Sequence, residues 1–404
     1  MKKESIALIL ACAAAVATVV SIAAFEILLG AALLAVIVSR QWRWPPITLP
    51  LCIWFTLTVA SAAASGHLGA ALPQIKKFYV YLMLFAVYSA VRTVAHVRVI
   101  VAAWAVAAVL SAAWSFEQLA KKYQIAVATH QDFYTYYVTY RITGFMGHWM
   151  TFSGEMMMVL MPILAVLFFS RDRRWKMWLG AALVPISCGL LAAYTRSMWL
   201  GAVVGGGYLI WMWRRWMILS IPVLIGLALL VNPFAIRERV VSIMRPRAEL
   251  DSNEHRVVTR RIGMEMIKAH PIFGVGPEQV GKQYEVYLPA DIHKPLPDGY
   301  YGHLHNIYIH YAAERGVPAM LALMWAIGQA LADFIRARRR LSQDAEARWV
   351  LNGAVAVIIA IMLSGWYELN LGDSEVLGMF LAVIACGYAV IASTAETKAS
   401  ALHS

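Results

Sequence analysis

The sequence predicts an all-α polytopic membrane protein, and three observations carry that prediction. Of 404 residues, 61% are hydrophobic and only 14% are charged, more apolar surface than a soluble domain can bury. The apolar stretches recur from end to end, and each is long enough to cross much of a bilayer at about 1.5 Å per helical residue. They are continuous rather than alternating, which excludes a membrane β-barrel. The formal net charge of +12 does not indicate nucleic-acid binding, because Lys and Arg set orientation in membrane proteins.

Taken in order, the apolar spans are expected near Ser5–Ile22, Phe25–Val38, Ile47–Ala64, Phe78–Ala90, Ile100–Trp114 and Phe152–Phe169. They continue near Met177–Ala193, Met198–Trp213, Met217–Val231, Pro318–Phe334, Val350–Trp366 and Glu375–Ala392, about twelve in all. The first run also has the look of a signal peptide, but the second follows almost without a break, which favours a retained hairpin. Residues 1–231 thus form nine spans, 232–304 one large outward loop, and 305–404 the last three spans.

Basic residues orient this array. With the N-terminus in the cytoplasm, Lys2, Lys3, Arg40, Arg43, Arg92, Arg98, Arg171 to Lys176, Arg214, Arg215, Arg336 to Arg340, Arg348 and Lys398 all fall inside. The short loops opposite carry few, so both termini are expected in the cytoplasm. Three polar segments then face outward: Ser65–Lys77, the Tyr-rich Gln118–Met150, and the long loop. The loop holds a helical stretch at Val257–Ala269, ended by His270-Pro271, and a tight turn at Gly274-Val275-Gly276-Pro277. Tyr284, Tyr287, Tyr300 and Tyr301 are expected to pack it onto the membrane face. The four cysteines lie inside apolar runs and form no disulfide or metal pattern.

The outward side concentrates arginine. Arg196 sits between two spans in Tyr194-Thr195-Arg196-Ser197, and the loop adds Arg237, Arg239, Arg245, Arg247, Arg256, Arg260 and Arg261. Guanidinium groups match phosphate oxygens bidentately and stay charged, so this suits a membrane-embedded diphosphate; attraction to anionic lipid headgroups is the plainer alternative. At the loop's end, His305 is followed at once by Asn306. A His there can act as a base near neutral pH, with the amide orienting ring or substrate; an interfacial helix histidine is the bland alternative. His303 and His305 would need a third ligand to bind a metal. Asp291, His293 and Glu285 have no fixed geometry, so no metal site is expected. Glu155 and Asp333 lie at or near span ends, whereas an ion-coupled transporter usually keeps such acids at mid-membrane.

The order of these features resembles the O-antigen ligase family of bacterial inner membranes. His305-Asn306, nine residues and Gly316 match that family's His-[Asn/Ser/Gln]-x9-Gly signature. Thr195-Arg196-Ser197 is similar to its Thr/Ser-Arg turn. Arg256 through Pro271 to Gly274-Val275-Gly276 is similar to its Arg…His-Pro-x-x-Gly-x-Gly stretch, and Arg141-Ile142-Thr143-Gly144-Phe145 to a weaker element. Many relatives place Trp where this chain has Arg260, so Arg256, Arg260 and Arg261 all stay open for the phosphate-binding role. The resemblance implies a GT-C-like glycosyltransferase with its active site on the periplasmic face. It would move polysaccharide from undecaprenyl diphosphate to lipid A–core oligosaccharide, inverting the anomeric centre, with no cofactor. His305 would be the base, and Arg196, Arg256 and Arg260 would hold the donor diphosphate. Asn306, His303, Arg261, Arg141, Lys76 and Lys77 would be weaker substrate contacts. O-antigen polymerases and protein O-oligosaccharyltransferases share the superfamily, and a lipid-linked glycan transporter is a remoter alternative.

Overall fold

A computed structural model describes residues 3–244 and 253–402. Arg245 and Arg247, and Lys2 of the charge pattern, lie outside the described residues. Every element described is helical. In order these are α1 (Lys3–Ala17), α2 (Ile22–Val38), α3 (Thr48–Ala64), α4 (Leu68–Lys76), α5 (Phe78–Ala90) and α6 (Val94–Ala128). Then come α7 (Phe133–Thr139), α8 (Trp149–Phe169), α9 (Arg173–Ala192), α10 (Arg196–Trp213), α11 (Ser220–Val231) and α12 (Ile236–Met244). The rest are α13 (Asn253–Ala269), α14 (Val280–Gln283), α15 (Ile307–Arg315), α16 (Val317–Arg340), α17 (Ala345–Ser364) and α18 (Ser374–Leu402).

The expected spans overlap helices, although Ser5–Ile22 runs past the end of α1 at Ala17 to the first residue of α2. By length and composition, seven helical stretches can cross a membrane: Leu68–Ala90, α6, α8, α9, α16, α17 and Ser374–Glu396. An eighth arises if Arg215–Val231 and Pro233–Ser242, bent by 107°, count as one span. The apolar α1, α2 and α3 are shorter. The reason is local: Ser21 caps α2 by accepting from the Ala24 amide at 3.4 Å, which splits a nearly continuous apolar run into a hairpin.

The centre of the bundle is built from α8, α17 and α18, whose apolar windows are mostly buried. α10 packs closely on α17 because Gly201 and Gly205 lack side chains. A Cβ at Gly205 would lie 2.9 Å from the Ala356 carbonyl, and one at Gly201 2.8 Å from that of Ala360. At one end Arg98 bridges Asp172 at 3.2 Å and Glu346 at 2.8 Å, joining the starts of α6, α9 and α17. The other ends of these helices carry the site.

The stretch 253–304 has a small core of its own. Val258, Ile262 and Met266, four apart on α13, bury against Val275, Val280, Leu304 and Ala313 of α15. Tyr284, Tyr287 and Tyr301 pack against this cluster, whereas Tyr300 is 65% exposed. The turn after α13 is pinned: the Val275 amide donates to Ala313 O at 2.8 Å and that of Gly276 to Glu314 O at 2.9 Å. Gly316, between α15 and α16, has φ +89°, and its missing side chain leaves room for the Ile272 carbonyl.

Candidate active site

The start of α15 is held open by its cap. Asn306 Oδ1 accepts from the amides of Tyr308 (3.0 Å) and Ile309 (2.9 Å), while its amide donates to Trp366 O at 2.8 Å. Asn306 is therefore an N-cap that ties α15 to the end of α17. The residue before it, His305, has φ +47°, a conformation that bulky residues adopt only where surroundings impose it. That twist aims the imidazole at Glu368 in the α17–α18 turn. His305 Nδ1 lies 3.3 Å from Glu368 Oε2, and Nε2 lies 3.3 Å from Tyr300 O.

Glu368 is buried and also pairs with Arg256 from α13. Burial pushes its carboxyl up, but Arg256, His305 and Arg141 outweigh this and hold it below the usual glutamate range. Both neighbours of His305 are acceptors. One proton on Nδ1 satisfies Glu368 and leaves the Nε2 lone pair for a substrate. A second proton on Nε2 finds Tyr300 O. The ring can be held before and after taking a proton, as a general base requires.

These groups line a cavity of about 510 Å³ together with Arg141, Arg196, Arg239, His148, His255, His303 and Asp373. Arg196 starts α10 and its Nη1 donates to Ser242 at 3.2 Å. Arg239 is 4% exposed and its Nε donates to Tyr194 O at 3.2 Å. Arg141 Nε donates to Val138 O at 2.9 Å, and its guanidinium lies over Trp149. Burial, with Arg239 beside it, pushes Arg141 down to about 9, so it is still a cation at neutral pH. Arg256 Nε is buried with no partner among the described residues. Among the described residues, Arg141, Arg196, Arg239 and Arg256 line the cavity together with the acids Glu368 and Asp373. Low-dielectric surroundings strengthen the interaction of such guanidinium groups with an anion.

The remaining histidines are not cations here. Burial, with His305 and His310 nearby, pushes His303 down to about 2, and burial with His305 pushes His255 down to about 4. His148 is lowered by burial and caps α8 by accepting from Met150 N at 3.2 Å. Burial raises Asp373, which accepts from Thr151 at 2.8 Å. Among the described residues no three His, Cys, Asp or Glu side chains converge as a metal site. Asp291 is engaged by Arg261 at 2.7 Å and Glu285 by Lys294 at 3.0 Å.

Of the residues singled out in the sequence, His305, His303, Arg196, Arg256 and Arg141 meet in this cavity. Arg260 does not line it; its Nη2 donates to Trp366 O at 2.8 Å and its guanidinium lies over Tyr367. Arg261 is exposed with Asp291. Lys76 and Lys77 line a neighbouring cleft. Sequence reasoning passed over Glu368, Asp373, His148 and His255, read Tyr300 only as a packing residue, and named Arg239 only as one of the loop arginines. The signal for Glu368 is the polar island Tyr367-Glu368-Leu369-Asn370 between the last two apolar runs.

A family model described as O-antigen ligase matches residues 181–324, the stretch from α9 through Arg196, Arg256 and His305 into α16. That match supports the O-antigen ligase family. No curated protein matches the chain.

Proposed function

With an O-antigen ligase domain over residues 181–324, we propose that the chain joins a lipid-linked polysaccharide to lipid A–core oligosaccharide. The donor is an undecaprenyl diphosphate glycan and the cavity faces the periplasm of a bacterial inner membrane. The observation that carries the reading is His305, backed by Glu368, beside four arginines around one cavity. The basic clusters after α2, α8 and α16 sit on the opposite helix ends, which supports the orientation.

The chemistry follows from the placement. An acceptor hydroxyl hydrogen-bonds to His305 Nε2 and attacks the anomeric carbon. The new C–O bond forms as the bond from that carbon to the diphosphate oxygen breaks, and the bonding electrons leave with the diphosphate. The hydroxyl proton goes to Nε2 and then to solvent. Attack from the face opposite the leaving group inverts the anomeric centre. Glu368 orients the ring and balances the imidazolium charge. Arg196, Arg256, Arg239 and Arg141 meet the charge that grows on the diphosphate, and as fixed groups they need little reorganisation. Arg260 braces the Trp366 turn beside them. No step draws on a metal ion.

The test mixes purified protein with undecaprenyl diphosphate-linked glycan and lipid A–core in EDTA. Glycan on lipid A–core is expected from the wild type and none from His305→Ala. Longer lipid-linked chains without that product would assign the polymerase reaction instead.

A further inference from the structure

The arginine cavity has one wall to which the transfer chemistry assigns no task. It is built where α8 and α18 begin, from His148, Trp149 and Asp373. Thr151, in the first turn of α8, donates to Asp373 Oδ2 at 2.8 Å and so fixes the carboxylate between the two helices. Among the described residues Asp373 Oδ1 accepts no hydrogen bond. Lys77 approaches the same turn but donates to Gly372 O, and among the described residues no ion pair holds Asp373.

His148 complements the carboxylate. Its Nδ1 accepts from the Met150 amide at 3.2 Å, and burial keeps the ring below the ordinary histidine range. The neutral ring therefore carries its one proton on Nε2, which has no partner among the described residues. The imidazole lies against Trp149, with ring centroids 4.0 Å apart. Trp149 in turn lies under the Arg141 guanidinium, 4.9 Å from its ring centre.

Chemistry and position together identify what this wall receives. A carboxylate repels phosphate, so the wall does not extend the diphosphate site. It offers instead an acceptor oxygen, an N–H donor and an aromatic face. A pyranose matches all three, because its hydroxyls both donate and accept and its C–H edges pack on a ring. Position decides which pyranose. Arg141 is one of the groups that meet the diphosphate, and His148 stands within electrostatic reach of both Arg141 and His305. The sugar bonded to the diphosphate spans that same interval, since its anomeric carbon lies between the leaving oxygen and the hydroxyl on His305.

We infer that Asp373 and His148 hold hydroxyl groups of the donor's first sugar, the one bonded to the diphosphate, while Trp149 packs against its ring. Thr151 is then the positioning residue for Asp373. The inference rests on the ligase reading and names how that site recognises its donor.

Binding read by native mass spectrometry tests it, with two ligands: undecaprenyl diphosphate alone, and undecaprenyl diphosphate bearing the single sugar from the reducing end of the native glycan. Wild type is expected to bind the sugar-bearing lipid about tenfold more tightly, the size of one hydrogen bond to a charged group. Asp373→Asn should erase that ratio while keeping or tightening binding of the bare diphosphate, because a negative charge has gone; this binding also reports an intact fold. Thr151→Val should lessen the ratio and Thr151→Ser restore it. A ratio near one in wild type, or a full ratio in Asp373→Asn, overturns the inference. So does an Asp373→Asn variant that raises KM for lipid A–core alone, since the wall would then serve the acceptor. The two readings fail separately. An Asp373-dependent ratio in a protein that glycosylates no lipid A–core sinks the ligase reading and keeps the sugar subsite; transfer with an unaltered ratio does the reverse.

Discussion

Two His–Glu–Arg assemblies flank the same short helix, and they have opposite characters. His305, Glu368 and Arg256 sit at the start of α15; His310, Glu314 and Arg315 sit within it. In the second, His310 lies 3.7 Å and Arg315 2.9 Å from Glu314. Arg315 reaches on to Thr58 (3.4 Å) and Gln74 (2.7 Å) and lies over Trp54. Glu314 accepts from the Glu278 amide at 3.0 Å. All three side chains are buried, and together they lock the 273–278 turn to α3 and α4. In the first assembly, His305 and Arg256 face the cavity. The same residue types thus make a strut where they are buried against protein, and a site where some face open space. The second set is mostly local in sequence, whereas the first joins three elements that fold together only in the bundle.

The sharpest way to break this contrast is at the two histidines. His305→Ala is expected to lower kcat by about 10³-fold, within the range for loss of a general base, with thermal unfolding in detergent little changed. If His310→Ala lost transfer as completely with its fold intact, the division into site and strut would fail. Next in size is Glu314→Ala. It strands the buried Arg315 cation, so a loss of about 3–5 kcal/mol is expected, visible as a large fall in melting temperature. A melting temperature equal to wild type would mean that Arg315 finds another anion.

Glu368→Gln sharpens the same comparison at lower amplitude. The amide keeps the shape but carries no charge to balance the imidazolium. A fall of about 10²-fold in kcat with donor KM nearly unchanged is expected. A rise in donor KM with kcat intact would instead place Glu368 in ground-state binding.

Much of this was legible in the sequence, for identifiable reasons. Apolar period and basic loops marked the helices. The His305-Asn306 to Gly316 spacing marked α15, because each position has a local job: Asn306 caps, and Gly316 takes φ +89° under the Ile272 carbonyl. Arg196 stood out as a charge with almost no loop around it. The polar island around Glu368 marks a turn, but its pairing was not legible, since its partners lie 63 and 112 residues away and no periodicity reports such pairs. The sequence left Arg256, Arg260 and Arg261 all open for the phosphate-binding role; in the fold Arg256 reaches Glu368, while Arg260 stops at the Trp366 carbonyl. The tight turn at 274–277 was legible from its glycines, but the backbone bonds that tie it to α15 were not.

The smallest expected effect is a pH slope. His303 and His255 are held neutral in the fold, down to about 2 and about 4, against an ordinary value of 6.5. Groups lowered in the fold bind more protons when unfolded, so their contribution is fully present above 6.5 and is lost as pH falls towards the folded values. Stability should therefore be flat from pH 8 to 7 and decline below 6.5 by about 1 kcal/mol per unit for each such histidine. Glu368 has the same sign in a lower window, because its lowered carboxyl loses its contribution only below the ordinary glutamate range. His303→Gln should flatten the slope between pH 6.5 and 5 without removing the later decline, as read from melting temperatures across a buffer series. If the variant kept the full slope, the acid sensitivity would belong to the strut, where His310 is also lowered by burial, and the open assembly would be the more acid-tolerant of the two.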